Sequence, residues 1–181
     1  MKNLILLHGI GDSPESFWLP YVAKHAAEKR YEVWVPQLPQ AEDPDLTVQR
    51  PFLMDSGKIS PETTMIGHSS ACGLILSVLQ HIDFAIEKAV LVSGFASPLP
   101  VEGAPTKIFE DSWDWEKIRM NCRDFYIINS DNDPWGCDHT KGEEIYNNVG
   151  GTQIIRHGEG HMGSGFYHQP YKEFPLLVNL L

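Results

Sequence analysis

Three side chains far apart in the sequence have the types and local settings needed for nucleophilic catalysis. Ser69 stands in Gly67-His68-Ser69-Ser70-Ala71, between an apolar stretch and a second apolar stretch. This is the elbow pattern Gly-x-Ser-x-Gly with Ala in the last place, and its logic is steric. A serine on a strained strand-to-helix turn brings the residues two before and two after it together, so both must be small. Serine is a poor nucleophile at neutral pH. It needs an imidazole within about 3 Å to take its proton, and a carboxylate to fix that imidazole's tautomer. His161, between Gly160 and Met162 in a glycine-rich turn, is the candidate base. Asp133 is the favoured acid because Pro134 restricts its backbone; Asp131 is the second choice, and Asp138 lies in the same stretch.

The elements that must carry these groups are legible as alternating apolar runs. Strands are expected at Leu4–Leu7, Glu32–Val35, Thr63–Ile66, Lys88–Val92, Phe125–Ile128 and Gln153–Arg156. Helices are expected at Glu15–Lys29, Leu46–Gly57, Ala71–Ile82, Trp113–Arg119, Gly142–Asn148 and Pro170–Leu181, the first capped by Ser13 with Pro14 at its first position. Leu4–Leu7 shows no apolar–polar alternation, as suits a strand covered on both faces. The alternation of strands and helices predicts an α/β three-layer sandwich with about six mainly parallel strands. The chain reads as one domain over residues 1–181, with 94–120, rich in Pro and Gly at its start, as a lid segment. In such a sheet, ligands bind beyond the carboxyl ends of the strands. Ser69, Asp133 and His161 each follow an expected strand, so one sheet edge collects all three. The backbone N–H groups of Ile10, in the first turn, and Ser70, after the nucleophile, are the candidate oxyanion donors. His8 reads as a brace for that first turn. Trp18, Trp113, Trp115 and Trp135 are candidates for an apolar substrate site.

Composition narrows the classes. The 181 residues are 42% hydrophobic and 21% charged, which rules out global disorder. Acidic residues outnumber basic ones 24 to 14, a formal net charge of −10, and no Lys/Arg cluster suggests nucleic acid or an anionic membrane. Cys72, Cys122 and Cys137 make an odd set without metal-like spacing, which favours a reduced, cytoplasmic protein. The amino-terminal apolar run is too short for a signal-peptide core or a membrane span. Other motifs fail on inspection. Gly9-Ile10-Gly11 lacks the third glycine of a dinucleotide site, Pro14 standing in its place. Asp131-Asn132-Asp133 lacks the closing acid of a calcium loop, and glycines between His157 and His161 oppose a helical metal pair. Cys72 reads as a core thiol.

Taken together, Leu6-Leu7-His8-Gly9, Phe17-Trp18, Gly67-His68-Ser69-Ser70, Asp133-Pro134 and Gly160-His161 resemble the small serine hydrolases related to retinoblastoma-binding protein nine, within the α/β-hydrolase superfamily. The resemblance implies a compact hydrolase core that begins at the oxyanion strand, with Ser69, Asp133 and His161 as the triad by position. It implies hydrolysis of small carboxylic esters or thioesters through an acyl-enzyme, with no metal or organic cofactor. An amidase or peptidase of the same mechanism, or a partner-binding protein on a hydrolase scaffold, are the alternatives; no sequence feature marks a protein partner. The segment 94–112, with Trp113 and Trp115 after it, has no firm counterpart in the family.

Overall fold

The computed structural model describes residues 2–101 and 104–181. Part of the expected lid, residues 102 and 103, lies outside them. The described residues form a six-stranded sheet in the order β2-β1-β3-β4-β5-β6, parallel throughout. Its strands are β1 (Asn3–Leu7), β2 (Glu32–Trp34), β3 (Thr63–His68), β4 (Lys88–Val92), β5 (Phe125–Ser130) and β6 (Thr152–Arg156). The helices are α1 (Leu19–Glu28), α2 (Leu46–Met54), α3 (Ala71–His81), α4 (Trp115–Met120), α5 (His139–Val149) and α6 (Pro175–Asn179).

The strand period of two explains the layers. In β1, Leu4 and Leu6 point to one face and pack with α1 and α6 residues such as Leu19, Val22 and Leu177. Ile5 and Leu7 point to the other, among Leu53 of α2, Leu74 and Val78 of α3, Ile118 of α4 and Ile145 of α5. The four apolar side chains of β1 are fully buried, each stabilising the fold by about 1.5–3 kcal/mol relative to exposure. Both faces of this strand are therefore covered, as its unbroken apolar run requires. Among the described residues no helix is long and apolar enough to cross a membrane.

Several element ends differ from the expected ones for local reasons. α1 starts at Leu19, not Glu15, with Pro20 in its first turn. Ser13 caps no helix there: its own N–H donates to Ser16 Oγ (3.0 Å), and Phe17 sits at φ 50°, so residues 13–17 form turns. α5 starts three residues earlier than expected because Asp138 caps it, accepting from Thr140 N. α4 begins at Trp115 after Asp114, which accepts from Lys117 N. At the carboxyl end the helix is confined to Pro175–Asn179: Pro175 stands in its first turn, and Phe174 before it has φ −142°, outside the helical region.

The chain direction across the sheet reverses between β1 and β3: β2 lies on one side of β1, and β3 to β6 run away on the other. The connections leaving β1 and β3 thus part to opposite faces and open a crevice at the carboxyl ends of these strands. The turn after β1 and the elbow after β3 form its walls.

Candidate active site

The elbow is built at the end of β3. Ser69 has φ 55°, in the left-handed region, where a non-glycine residue is strained. Its amide is held by Val92 O of β4 at 2.8 Å, and α3 starts two residues later. The need for small neighbours is visible: a Cβ on Gly67 would lie 3.1 Å from Ala71 O and 2.8 Å from Ile75 Cδ1. The turn after β1 passes equally close, since a Cβ on Gly9 would lie 3.2 Å from Ser69 Cβ. Buried His8 braces this turn. Its Nε2 accepts from Leu38 N (3.0 Å), which leaves Nδ1–H to donate to Gly9 O (2.9 Å). Burial lowers the His8 pKa, in keeping with this neutral tautomer. Ile10 is exposed beside Ser69, and Ser70 stands at the amino end of α3.

The loop after β6 brings His161 to the same crevice. His161 Nδ1 and Asp133 Oδ2 are 2.7 Å apart, with side-chain exposures of 7% and 0%. A carboxylate can only accept, so Nδ1–H donates and Nε2 is left as the basic nitrogen. Asp133 Oδ1 accepts from Trp135 N at 2.9 Å, which fixes the carboxylate. The Ser69 hydroxyl makes no hydrogen bond among the described residues; it and His161 border the same pocket.

The three residues after β5 each grip the histidine loop at a different point. Asp131 Oδ1 accepts from Gly158 N (2.9 Å), and its Oδ2 meets exposed His157 Nδ1. Asn132 Oδ1 accepts from Gly160 N (2.8 Å), and Asp133 takes His161. Hydrogen bonds from Gly158 N and His157 hold the Asp131 carboxyl below its ordinary pKa, while Asp131 raises that of His157. Two further residues act on the His161 backbone: Gln169 Oε1 accepts its N–H (2.9 Å), while its carbonyl takes donors from His68 Nε2 and Ser93 Oγ, both 2.9 Å. His68 is fully buried with its ring centroid 4.9 Å from that of His161. Burial, then the His161 charge, pushes its pKa down to about 3, so a neutral ring lies beside that of His161.

None of Asn132, Gln169, His68 and Ser93 was singled out from the sequence. His68 lay within the elbow motif and Asn132 between two candidate acids; nothing marked Gln169 or Ser93. Of the tryptophans, only Trp135 borders the crevice. Trp18 is fully buried in the core, because the turn before α1 aims it inward, where Nε1–H donates to Met162 O (3.0 Å). Trp113 stacks with Trp115 against the α3 side of the core and donates to Ala96 O (2.8 Å). Neither lines the pocket by Ser69.

Two limbs diverge from Ser69 and His161, sharing Ile10 and Trp135. The first is apolar, a cavity of about 170 Å³ bounded by Phe95, Leu99, Val101, Ala104, Pro105 and Cys137. The second runs between Gly11, Asp12 and Phe17 on one side and Gly163–Phe166 on the other. Donor atoms of Asp133, Cys137 and His161 lie within 4.8 Å of one another, a spacing a metal ion could use. The set fits one poorly. The first and last are bonded to each other, and burial pushes the Cys137 thiol up, keeping it protonated.

Asp12, on the second limb, is a further perturbed group. Burial raises its carboxyl to about 6, against the lowering effect of His161; Glu42 raises it further and Ser16 lowers it. An acid with a raised folded pKa favours its protonated form, so its stability penalty is present above about pH 6 and gone below about pH 4. Asp12→Asn is therefore expected to stabilise the protein at pH 7.5 by about 1–2 kcal/mol, a value discounted for partial solvent exposure. Calorimetry should show a melting temperature higher by a few degrees at pH 7.5 and unchanged near pH 3.5. An equal gain at both values would mean that the carboxylate carries no such penalty.

Comparison with known proteins agrees with this architecture. Residues 4–179 match the family described as serine hydrolase. The chain is 25% identical to Bacillus subtilis YdeN over 135 residues, 73% of this chain and 71% of that one. It is 26% identical to the rat serine hydrolase RBBP9 over 130 residues, 71% of this chain and 69% of that one. The crystal structure of the B. subtilis ydeN product superposes with a TM-score of 0.91 at 21% identity, covering 99% of this chain and 96% of that one. Est1E from Butyrivibrio proteoclasticus shares the fold more distantly, with a TM-score of 0.67 at 14% identity over 99% of this chain and 86% of its own. The family match runs nearly end to end over an α/β-hydrolase fold: the chain belongs to the serine hydrolase family and is a hydrolytic enzyme.

Proposed function

We propose that the enzyme cleaves small carboxylic esters or thioesters through an acyl-enzyme on Ser69. His161 Nε2 takes the Ser69 proton as Oγ bonds to the carbonyl carbon. The carbonyl oxygen becomes an oxyanion held by the N–H groups of Ile10 and Ser70. The bond to the leaving group then breaks, and His161 passes its proton to the departing oxygen or sulfur. Water, deprotonated by His161, attacks the acyl carbon; the bond to Ser69 Oγ then breaks, His161 returns the proton to Oγ, and the acid is released. Asp133 holds the imidazole tautomer throughout. Each oxyanion donor in such sites contributes roughly 10²–10³-fold to turnover.

The observation that carries this reading is the 2.7 Å contact of His161 Nδ1 with Asp133, with Nε2 left free on a ring that borders the same pocket as strained Ser69. The apolar limb supports an acyl chain as its occupant. Its wall comes largely from residues 95–101 and 104–105, which we read, with the described residues that follow them to 120, as a fixed roof. Phe95, Ile108 and Cys137 form a small core there, and Glu110 is tied to Arg50 and Ser77 of the main body. The limb predicts a chain-length optimum: p-nitrophenyl butyrate should be hydrolysed faster than the acetate and the dodecanoate, and the matched p-nitroanilide much more slowly. A flat profile, or an anilide as good as the ester, would overturn the ester assignment.

A further inference from the structure

The second limb has a chemistry the acyl limb lacks. Phe17, Trp135 and Phe166 present aromatic surface to it, with the Trp135 and Phe166 centroids 5.3 Å apart and Phe166 73% exposed. Asp12 lies at its inner end: Asp12 Oδ2 is 3.3 Å from the point where a Gly9 Cβ would stand, and that point is 3.2 Å from Ser69 Cβ. Among the described residues, the charged groups that shift this carboxylate are His161, which lowers its pKa, and Glu42, which raises it. Aromatic faces attract cations through their quadrupoles, and a partly desolvated carboxylate does so by its charge. The net charge of −10 adds long-range attraction of the same sign.

Resting on the serine-esterase reading above, we propose that this limb receives the leaving group and selects esters whose alcohol carries an ammonium group close to the scissile oxygen. The side is set by His161. Gly163–Phe166, which wall the limb, follow this residue after Met162 alone, and His161 must hand its proton to the departing alcohol. Among the described residues that bound the acyl limb, none is charged apart from the shared His161, so a cation placed there meets no partner among them. The ammonium group stays intact during turnover: the acyl carbon–oxygen bond breaks, and the alcohol leaves with its proton and its positive charge.

The test compares butyrylcholine with 3,3-dimethylbutyl butyrate, in which carbon replaces the quaternary nitrogen at nearly equal size. Acid release in a pH-stat follows both. The cationic ester is expected to show kcat/KM about tenfold higher. That ratio should fall to near one in Asp12→Asn and fall in part in Phe166→Leu. Reading the ratio cancels whatever either substitution does to the machinery common to both esters. A third ester, with trimethylammonium on the butyryl end and a neutral alcohol, should be poorer than the neutral one. A wild-type ratio near one, a ratio that survives Asp12→Asn, or a preference for the acyl-side cation overturns the proposal. If the neutral ester is still cleaved in a Ser69-dependent way, the esterase reading stands without it. If neither ester nor p-nitrophenyl butyrate is cleaved, both fall.

Discussion

Ser69→Ala is expected to lower kcat/KM for p-nitrophenyl butyrate by about 10⁴–10⁶-fold and to abolish labelling by a fluorophosphonate probe. Loss of the nucleophile of a triad costs nearly as much as loss of all three members, leaving only what the oxyanion donors and binding supply. Such an effect is often clouded by damage to the fold. Here the substitution is nearly clean. Its hydroxyl makes no hydrogen bond among the described residues, and alanine meets the same strain at φ 55° as serine does. The Ser69 amide, which bonds to Val92 O, is retained. The melting temperature should therefore stay close to that of the wild type while activity is lost. Intact-mass analysis reads the labelling directly. A full probe adduct on Ser69→Ala would move the nucleophile elsewhere, with Ser70 the first residue to examine.

How much of this was legible beforehand follows from what each feature depends on. The strands were readable because doubly covered strands need unbroken apolar runs, as in Leu4–Leu7 and Ala89–Val92. The elbow was readable because the crowding of Gly67 against Ala71 restricts which residues can stand there at all. Helix starts were less so. Ser13-Pro14 carries a good capping signature, yet residues 13–17 are used to turn the chain past Gly163, where a Cβ would lie 2.8 Å from the Phe17 ring. That demand is tertiary, and propensity does not contain it. The burial of Trp18 arises the same way: its partners Met162, His68 and Phe174 come from distant parts of the chain. Gln169 shows the limit most plainly. Its role as acceptor for the His161 N–H depends on how residues 164–169 fold back, and the residue type alone suggests nothing.

The choice between the two acids of one turn is the other place where sequence could not decide and geometry offers a sharp test. Asp133→Asn is expected to lower kcat by about 10⁴-fold. The Asn side chain would keep the shape, but its amide can donate to Nδ1. The imidazole then turns its lone pair toward residue 133 and its proton toward Ser69, where it cannot act as a base. Asp131→Asn is expected to cost no more than a few-fold. Asp131 faces His157, whose side chain is 95% exposed, and its contact with Gly158 N needs only an oxygen that Asn also has. The two substitutions sit two residues apart, are equally conservative, and remove one negative charge each. Any difference between them therefore isolates which histidine is served, rather than the field of the molecule. Proton NMR supplies a readout independent of turnover: the downfield Nδ1–H resonance of a carboxylate-bound imidazole should vanish in Asp133→Asn and persist in Asp131→Asn. A large loss in Asp131→Asn with a mild one in Asp133→Asn would transfer the acid role to Asp131 and require the loop after β6 to rearrange during catalysis. Equal large losses would mean instead that the clamp made by residues 131–133 acts as one unit, with no single carboxylate setting the tautomer.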